Sequence, residues 1–421
     1  MPTSSGPNQK GEENLVFAYD VGDVKNSYRG EPATNSQNAD ISSMTQVGFN
    51  GWSCYDGSPP YHTWGTNQSK TFVTVPGPFG TSVNAMLYHN FNGGFYGPTD
   101  WGAVPNGTIT SGRTYTVQGW VKAADSSSVG NSVNVHTYYS HSGGAYSAGT
   151  NYTLTDQWQL VSHTHTVQYN ATGGGIMYFF TQNPGEVKMY LTMTGVFLDE
   201  SHAVPWIIGG STRSNTQGLL DLTGNNTIDL SNVSFDSNAK ITFDGTDDYF
   251  TTSTTAPSLQ GNSTFSVEGV FRRNGNILQQ GFWGIGGGTT LQGICSWNYI
   301  LTNEIGIDLW GTSTYGTGQT YSSAEWKHIV WTYNGTSFTT SNISIFVNSV
   351  KYTGGTLITR RGGSGTPNIN NTGITLGRIN SNTSGYHANG QVPVFKAYNK
   401  ILSDNEVKQN YQQYKTRFNL S

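Results

Sequence analysis

Charged residues are scarce in this chain: Asp, Glu, Lys and Arg make up 11% of its 421 residues, against roughly 25% in an average globular protein. The formal net charge is −4. Because the sequence has no broad basic surface, we expect no nucleic-acid partner. No apolar run approaches the roughly 20 residues that a helix needs to cross a bilayer, so we expect no membrane insertion.

Cysteine is almost absent, since Cys54 and Cys295 are the only two. Two distant cysteines give neither a disulfide framework nor the spacing of metal ligands, so each is interpreted as a small buried or semi-buried residue. The N-terminal residues MPTSSGPNQKGEEN contain no charged segment followed by an apolar one, and we therefore expect no secretion signal.

Glycine and aromatic residues are plentiful: the chain has 54 glycines, and 13% of its residues are Phe, Trp or Tyr. The aromatic content argues against disorder, because disordered chains lack the apolar mass to form a core. Many turn formers, many aromatics and little charge are typical of β-sandwiches with long loops. The sequence therefore predicts an all-β protein.

Short apolar runs alternate with polar turns in the C-terminal half. The stretch from Leu219 to Phe250 is broken three times by turn residues, and Ile241 and Phe243 carry the alternation of a strand with one buried face. Near the end, Ser403 and Glu406 form a capping box that predicts a helix to about Lys415.

Three motifs in this half resemble the laminin-G or concanavalin-A-like jelly roll of virus and phage structural proteins. They are D-L-T-G-N at Asp221 to Asn225, F-D-G-T-D-D-Y at Phe243 to Tyr249, and W-K-H-I-V-W-T-Y at Trp326 to Tyr333. The segment L-S-D-N-E at Leu402 to Glu406, where the predicted C-terminal helix begins, resembles the ending of the same proteins. The resemblance implies a β-sandwich over residues 206–421, followed by a short C-terminal helix.

The strand at Asn14 to Asp20 and the loop after it resemble the opening of the same jelly roll, whose next motif occurs only at Asp221. We therefore assign residues 14–35 to the C-terminal sandwich and predict that a domain of residues 36–205 is inserted after its first strand. Residues 1–13 are predicted to be a flexible arm. In a multimeric particle the arm would dock on a neighbour, and the alternative is a disordered tail.

Residues 36–205 carry a sandwich pattern of their own. Gly112 to Ala123 alternates, with Tyr115, Val117, Gly119 and Val121 on one side, and further strands follow at spacings typical of a jelly roll. Y-T-V-Q-G-W-V-K-A, the later W-Q-L-V and a closing strand resemble carbohydrate-binding modules of the cellulose- and xylan-binding type. The acidic pair Asp199-Glu200 follows the closing strand, but the start motif N-x-x-F-E of that family is missing.

Glycan contact is the binding chemistry that the sequence favours, because residues 49–101 concentrate aromatic rings among Gly, Pro and Asn. Aromatic faces stack on the C–H faces of sugars while amide and carboxylate side chains bind hydroxyls. The alternative is that most of these rings cap the sandwich core. The predicted glycan-binding residues are Trp52, Tyr55, Tyr61, Trp64, Tyr96 and Trp101.

No residue is assigned a catalytic role. Glu304 and Asp308 lie on one strand face, but Gly306 stands where the glucanase pattern E-x-D-x-x-E needs an acid, so we interpret them as exposed strand carboxylates. His163 and His165 share a face without an evident third metal ligand, and we interpret them as solvent-facing.

A turn with three aspartates is the remaining metal candidate. Asp244, Asp247 and Asp248 offer oxygen ligands for Ca²⁺, and the alternative is that they only form the turn. No cofactor is otherwise expected.

The resemblances imply a non-enzymatic structural protein on the exposed surface of a virion: a head decoration, a fibre or a tail appendage of a phage or virus. It would form homo-oligomers, bind other virion proteins through the N-terminal arm and contact host-surface glycan. One alternative is a microbial carbohydrate-binding adhesin, and a further one is a polysaccharide-degrading enzyme.

Overall fold

The computed structural model describes residues 12–37, 41–43, 53–55, 68–91, 94–104, 109–172, 175–183, 185–236, 240–275, 280–298, 304–363, 365–379 and 386–420. For residues 43, 53–55, 94–96, 99–104, 175–178, 180, 182–183 and 297–298 it describes the backbone alone. These parts of the chain form antiparallel strands with a helix at the end, so the predicted all-β class is confirmed. Within them, no helix combines the length and the hydrophobicity needed to cross a membrane.

The chain divides into two compact units. The discontinuous unit contains the described residues up to Glu31 and those from Ser214 onwards, whereas the continuous unit spans Pro32–Arg213. The first strand, β1 (Leu15–Asp20), belongs to the discontinuous unit.

The continuous unit contains the next strands of the chain. They are β2 (Ala33–Thr34), β3 (Ser53–Tyr55), β4 (Gln68–Pro76), β5 (Ser82–Asn90), β6 (Gly94–Val104), β7 (Thr114–Ala123), β8 (Ser132–His141), β9 (Gly144–Thr153), β10 (Gln159–Thr166), β11 (Gly175–Asn183), β12 (Val187–Leu198) and β13 (Thr212–Arg213). Ten of these strands form two five-stranded sheets, in the orders β10-β7-β12-β5-β4 and β3-β6-β11-β8-β9, and β2 pairs with β13.

A common core joins these two sheets. Alternate residues of β7, such as Tyr115, Val117 and Val121, are buried in one cluster with Val133 and Val135 of β8. Gly119 lies in the same row, and a Cβ atom there would come within 2.7 Å of the Phe179 ring of the facing sheet. Glycine is therefore required at this position for the two sheets to approach.

The discontinuous unit continues with the remaining strands. They are β14 (Ile228–Asp229), β15 (Ser234–Phe235), β16 (Ile241–Asp244), β17 (Phe250–Thr252), β18 (Phe265–Arg273), β19 (Trp283–Gly286), β20 (Gly293–Asn298), β21 (Glu304–Leu309), β22 (Ser313–Thr320), β23 (Trp326–Tyr333), β24 (Ile343–Val347), β25 (Val350–Thr353), β26 (Ile358–Arg361), β27 (Ile374–Leu376) and β28 (Asn389–Tyr398).

These strands form two sheets with a shared core. One has the order β15-β16-β28-β18-β23-β24-β25, with β1 also paired to β28, and the other has the order β14-β17-β27-β19-β20-β21-β22-β26. Trp331 of the first sheet packs edge-on against Trp283 of the second, with ring centroids 5.3 Å apart. The Trp331 indole N–H also donates to the Gly306 carbonyl across the core at 3.0 Å.

Strand β1 pairs antiparallel with β28, with Tyr19 opposite Phe395. The D-L-T-G-N motif also holds β1, because the Asp221 carboxylate accepts a hydrogen bond from the Ala18 N–H at 3.1 Å. The strand that the sequence assigned to the C-terminal sandwich thus pairs with β28 near the end of the chain, with Leu15 opposite Tyr398.

The C-terminal helix α1 (Asp404–Phe418) begins with the predicted capping box, in which Ser403 accepts from the Glu406 N–H and Glu406 bonds back to Ser403. It ends at Phe418 rather than near Lys415, since Asn419 adopts a left-handed conformation that caps it. The extra turn places Phe418 against Trp326, with ring centroids 5.3 Å apart. The helix covers the outer face of the sheet that contains β18, β23 and β28.

Candidate functional site

The predicted glycan-binding residues fall largely outside the described part of the chain. Trp52, Tyr61 and Trp64 lie outside the described residues, and for three others the structure gives the backbone alone. In the ladder of the β3-β6-β11-β8-β9 sheet, Tyr55 lies opposite Gly97 and Tyr96 lies opposite Thr181. Trp101 belongs to β6 as well. Their role in glycan binding stays a prediction.

The aspartate turn uses its carboxylates to hold backbone. Asp248 accepts from the Ser234 N–H at 2.9 Å through one oxygen and from the Asp244 N–H at 2.8 Å through the other, while Asp244 accepts from the Thr246 N–H at 2.7 Å. Burial raises the pKa of Asp248, and the Thr246 N–H lowers the pKa of Asp244.

Three carboxylates of this turn, including that of Asp247, have oxygens within 4.8 Å of one another. Ca²⁺ requires six to eight oxygen ligands, and both Asp248 oxygens already accept hydrogen bonds from N–H groups. The geometry therefore favours the turn-forming role, and a Ca²⁺ ion here stays a prediction of the sequence.

Glu304 and Asp308 are buried, so the prediction that they are exposed is wrong. Glu304 is 1% exposed and forms a two-pronged ion pair with Arg360 at 2.6 and 2.8 Å, and Asp308 is 2% exposed and pairs with Arg361 at 2.7 Å. Strand β21 lies inside its sheet, between β20 and β22, and the arginines come from β26. Burial is tolerated because each carboxylate has a cationic partner.

The same environment includes Cys295, which is buried as predicted. Burial, together with the nearby Asp308, raises the pKa of its thiol. Burial also raises the pKa of Asp308, against the opposing effects of Thr314 and Arg361. A neutral thiol and an arginine-bound carboxylate are structural groups rather than reactive ones.

Neither His163 nor His165 is solvent-exposed, so the prediction that they face solvent is wrong. His165 is 8% exposed and stacks on Tyr146 with ring centroids 3.7 Å apart, while the half-buried His163 lies 3.0 Å from the Thr150 hydroxyl. In the ladder, His165 lies opposite the core residue Tyr115, so this face of β10 points into the sandwich. Burial and the neighbouring His163 lower the pKa of His165 to about 4.

An aromatic surface that sequence reasoning missed lies on the outer face of the β10-β7-β12-β5-β4 sheet. Because Gly119 and Val121 point into the core, Trp120 between them points outward. Tyr190 of β12 faces the same way, since it pairs with Lys122, two residues beyond Trp120. The sequence signal that could have found Trp120 and Tyr190 is that each large ring alternates with the apolar residues that its strand buries.

Two further rings extend this surface. Phe79 is 57% exposed and packs edge-on against Trp120 with ring centroids 5.4 Å apart, and Trp158 lies 6.2 Å from Tyr190. The Trp158 indole N–H donates to the Pro76 carbonyl at 2.8 Å, which fixes its ring. We call the set of Phe79, Trp120, Trp158 and Tyr190 the aromatic platform.

Charged side chains border the platform. Lys188 shares the outward face with Tyr190, two residues along β12. Its ammonium lies 2.8 Å from Glu186 and 3.5 Å from Asp125, and His89 lies 2.6 Å from Glu186. Hydrogen bonding from Lys188 and His89 lowers the pKa of Glu186. Rings beside hydrogen-bonding groups provide both kinds of contact that a sugar makes, with its C–H face and with its hydroxyls.

One segment of the continuous unit matches a known family. Residues 100–186, which include Trp120 and Trp158, match the family described as "Carbohydrate binding domain". The resemblance to carbohydrate-binding modules is thus supported for this segment. No curated protein matches the sequence.

Solved structures similar to this chain include several sugar-binding domains. The xylan-binding domain CBM22-1 of Paenibacillus barcinonensis Xyn10C is 11% identical, with 41% of this chain and 96% of that chain covered and a TM-score of 0.30. Domain 4 of the arabinanase AbnA from Geobacillus stearothermophilus, solved with arabinotriose, is 13% identical over 47% and 92%, with a TM-score of 0.34.

A bacteriophage protein is also similar. The enzymatically active domain of tailspike protein 4 from bacteriophage CBA120 is 14% identical over 39% of this chain and 21% of that chain, with a TM-score of 0.27. At these TM-scores, none of the three structures bears on function.

Proposed function

We propose that this chain is a glycan-binding protein without a catalytic site of its own, and that the aromatic platform holds the glycan. The cluster of four rings carries this proposal: Trp120 and Tyr190 stand on the outer face of the sheet, and Phe79 and Trp158 pack beside them. Trp120 and Trp158 also belong to the segment that matches a carbohydrate binding domain. Aromatic side chains are amphipathic enough to remain in water and still bury large areas when a ligand covers them.

The geometry of the platform suits an extended ligand. Trp120 and Tyr190 stand on neighbouring strands, and Phe79 and Trp158 extend the surface beyond them. Strands β7 and β12 hold Trp120 and Tyr190 in place before a ligand arrives, and the hydrogen bond to Pro76 holds Trp158, so binding loses little conformational entropy at these rings. Lys188 and Glu186 at the border supply hydrogen-bonding groups for hydroxyls.

Binding rather than hydrolysis is supported by the acids of β21. A glycosidase needs one carboxylic acid that protonates the leaving group and one carboxylate that attacks or activates water. Glu304 and Asp308 are buried and held by Arg360 and Arg361. Neither is placed to touch a sugar.

Binding of oligosaccharides to the full chain tests this proposal, with isothermal titration calorimetry after a glycan array has found a ligand. The array includes xylohexaose and arabinotriose. We expect Trp120→Ala and Tyr190→Ala to weaken binding at least tenfold, about 1.4 kcal/mol or more. Tyr169→Ala is the matched control, since Tyr169 is a 53% exposed ring of the same unit away from the platform.

Two results would contradict the proposal: no glycan binds, or both platform variants bind like the unaltered chain. Trp64→Ala distinguishes the surface predicted within residues 49–101. If Trp64→Ala abolishes binding while Trp120→Ala does not, the glycan site lies there instead of on the platform.

We further propose that the protein acts on the exposed surface of a virus particle, as a head decoration, fibre or tail appendage, that it forms homo-oligomers, and that residues 1–13 bind other virion proteins. The motifs at Asp221 to Asn225, Phe243 to Tyr249 and Trp326 to Tyr333 support this location. Immunogold labelling of purified particles with an antibody to residues 36–205 tests it. Labelling of cell surfaces instead would favour a microbial adhesin, and a single monomeric species in light scattering would contradict assembly.

A further inference from the structure

Strand β9 (Gly144–Thr153) is one edge of the β3-β6-β11-β8-β9 sheet. It pairs antiparallel with β8 over its whole length and without a bulge, from His141 opposite Gly144 to Ser132 opposite Thr153. Its ten residues, GAYSAGTNYT, include neither a charged residue nor a proline. An edge strand presents unpaired N–H and C=O groups on its free side, so a long and regular edge is a template for pairing with another strand.

Alternate residues of β9 direct their backbone groups away from β8. Leu154, directly after the strand, donates to Asn131 at 2.8 Å and accepts from Gly130 at 2.9 Å, on the β8 side. Successive residues alternate in this direction, and the Thr153 carbonyl accordingly accepts from the Gln159 side chain at 2.8 Å on the free side. The residues that share the direction of Thr153 are exposed, and their N–H groups have no acceptor in the described part of the chain: Ala145, Ser147, Gly149, Asn151 and Thr153.

The other edges of the continuous unit are protected. The Tyr152 hydroxyl donates to the Ser162 carbonyl at 2.8 Å and accepts from the Ser162 N–H at 3.2 Å, which caps the edge of β10. Strand β4 contains Lys70 and ends at Pro76, and β3 has only 3 residues. Lysine, proline and short length all discourage edge-to-edge pairing.

The sheets of the discontinuous unit use the same devices. Their edge strands β14 and β15 have 2 residues each, β25 contains Lys351, and β26 contains Arg360 and Arg361. The free side of β1 is covered, because the Ala18 N–H donates to Asp221. Among the described strands, β9 therefore differs from the other sheet edges in being long, regular and unprotected.

We propose that β9 is the interface between two copies of this chain, with the two β9 strands paired antiparallel about a two-fold axis at Gly149. This inference rests on the homo-oligomer proposed above and names its contact surface. In this register Ser147 lies opposite Asn151 of the second copy, where hydroxyl and amide can hydrogen-bond. A second copy suits this edge, because an uncharged strand meets itself without like-charge repulsion. The two-fold contact also closes the free edges of both copies at once.

Sedimentation equilibrium of the full chain measures the association, and hydrogen-exchange mass spectrometry locates it. Pairing of two ten-residue strands gives a small interface, so we expect a dissociation constant in the micromolar range. Raising the protein concentration through this range is expected to slow exchange in β9 peptides at least tenfold. Peptides from β4, another edge strand of the same unit, are expected to exchange at an unchanged rate and serve as the control.

Two double variants test the register with opposite charges at the same positions. Ser147→Lys with Asn151→Lys places like charges opposite each other across the axis, so we expect dimerisation to weaken at least tenfold. Ser147→Lys with Asn151→Glu places opposite charges there, and we expect it to dimerise like the unaltered chain. Both replace the same two residues, so both remove the contact of Ser147 with His136 and alter that of Asn151 with Asn134.

The possible outcomes separate this interface from the wider proposal. A chain that stays monomeric at every concentration would overturn the interface and the homo-oligomer together. An oligomer that the Lys/Lys variant leaves intact, or β9 exchange that does not depend on concentration, would overturn the interface alone. Equal dissociation by both double variants would overturn the antiparallel register. Glycan binding is expected to be equal in both variants, because the aromatic platform belongs to the other sheet.

Discussion

Glu268 provides the sharpest stability prediction, because its carboxylate has no solvent exposure in the middle of β18. His328 Nε2 of β23 lies 2.7 Å from one oxygen, while the Tyr398 hydroxyl of β28 and the Asn410 amide of α1 donate to the other at 3.1 and 2.9 Å. A single carboxylate thus joins three strands and the helix. We predict that Glu268→Gln destabilises the discontinuous unit by about 3 kcal/mol.

The magnitude follows from the bonds that an amide cannot make. Gln has one accepting oxygen, which can serve Tyr398 and Asn410, while its NH₂ group faces His328 Nε2. The imidazole can accept from this NH₂ only as the Nδ1–H tautomer, and its buried Nδ1 then has no acceptor among the described residues. Hydrogen bonds to charged groups contribute roughly 1.5–3 kcal/mol, and a buried donor left without an acceptor costs about 1–3 kcal/mol. Lys396 limits the loss, because its buried ammonium also pairs with Glu12 at 3.3 Å.

Hydrogen-exchange mass spectrometry in increasing guanidinium measures this effect, since the two units need not unfold together and one global midpoint would mix them. Peptides from β18 and β23 report on the network. Glu325→Gln is the control, because Glu325 is 51% exposed in its pair with Lys327, and exposed pairs contribute at most about 1 kcal/mol. A change of less than 0.5 kcal/mol (roughly the scatter of such measurements) for Glu268→Gln would refute the reasoning.

One further prediction concerns the continuous unit, and another concerns the discontinuous unit. The pKa of His165 is lowered from 6.5 to about 4 in the folded chain, so the folded state binds fewer protons, and stability present above pH 6.5 is lost as pH falls from 6.5 towards 4. Thermal unfolding of the continuous unit should show this slope, and an equal slope in His165→Gln would contradict it. Ser403→Ala removes the N-cap of α1, so we expect the free energy of unfolding measured by hydrogen exchange of the helix peptides to fall by about 1 kcal/mol. Ser341→Ala, in an exposed turn, is the control and should leave this free energy unchanged.

Local patterns in the sequence predicted most of the elements that the structure contains. Ile241 and Phe243 lie in β16 with the expected alternation. The turn that follows β16 holds Gly245 at a φ of +85°, a conformation that favours glycine. The capping box at Ser403 likewise marks the start of α1. These features depend on residues only a few positions apart, so a single sequence is sufficient to find them.

Burial of polar side chains was not predictable in the same way. Alternation assigned Glu304 and Asp308 to one face of β21 but did not show that the face is covered. The partners Arg360 and Arg361 follow 56 and 53 residues later and reach the acids only because β26 joins the sheet beside β22. His165 was misassigned for the same reason: which side of β10 faces the core depends on strands elsewhere in the chain.

Phase within a strand separates core rings from surface rings better than aromatic density does. Trp331 is 2% exposed and lies in phase with the buried row of β23, where it contacts Trp283 across the core. Trp120 is out of phase, because its neighbours Gly119 and Val121 occupy the buried positions of β7. Dense aromatics within residues 49–101 suit a binding loop and a core cap equally well. Phase therefore places Trp120 on the outward face of β7, where Phe79 packs against it, and this placement rather than the density of rings makes the surface a candidate for binding.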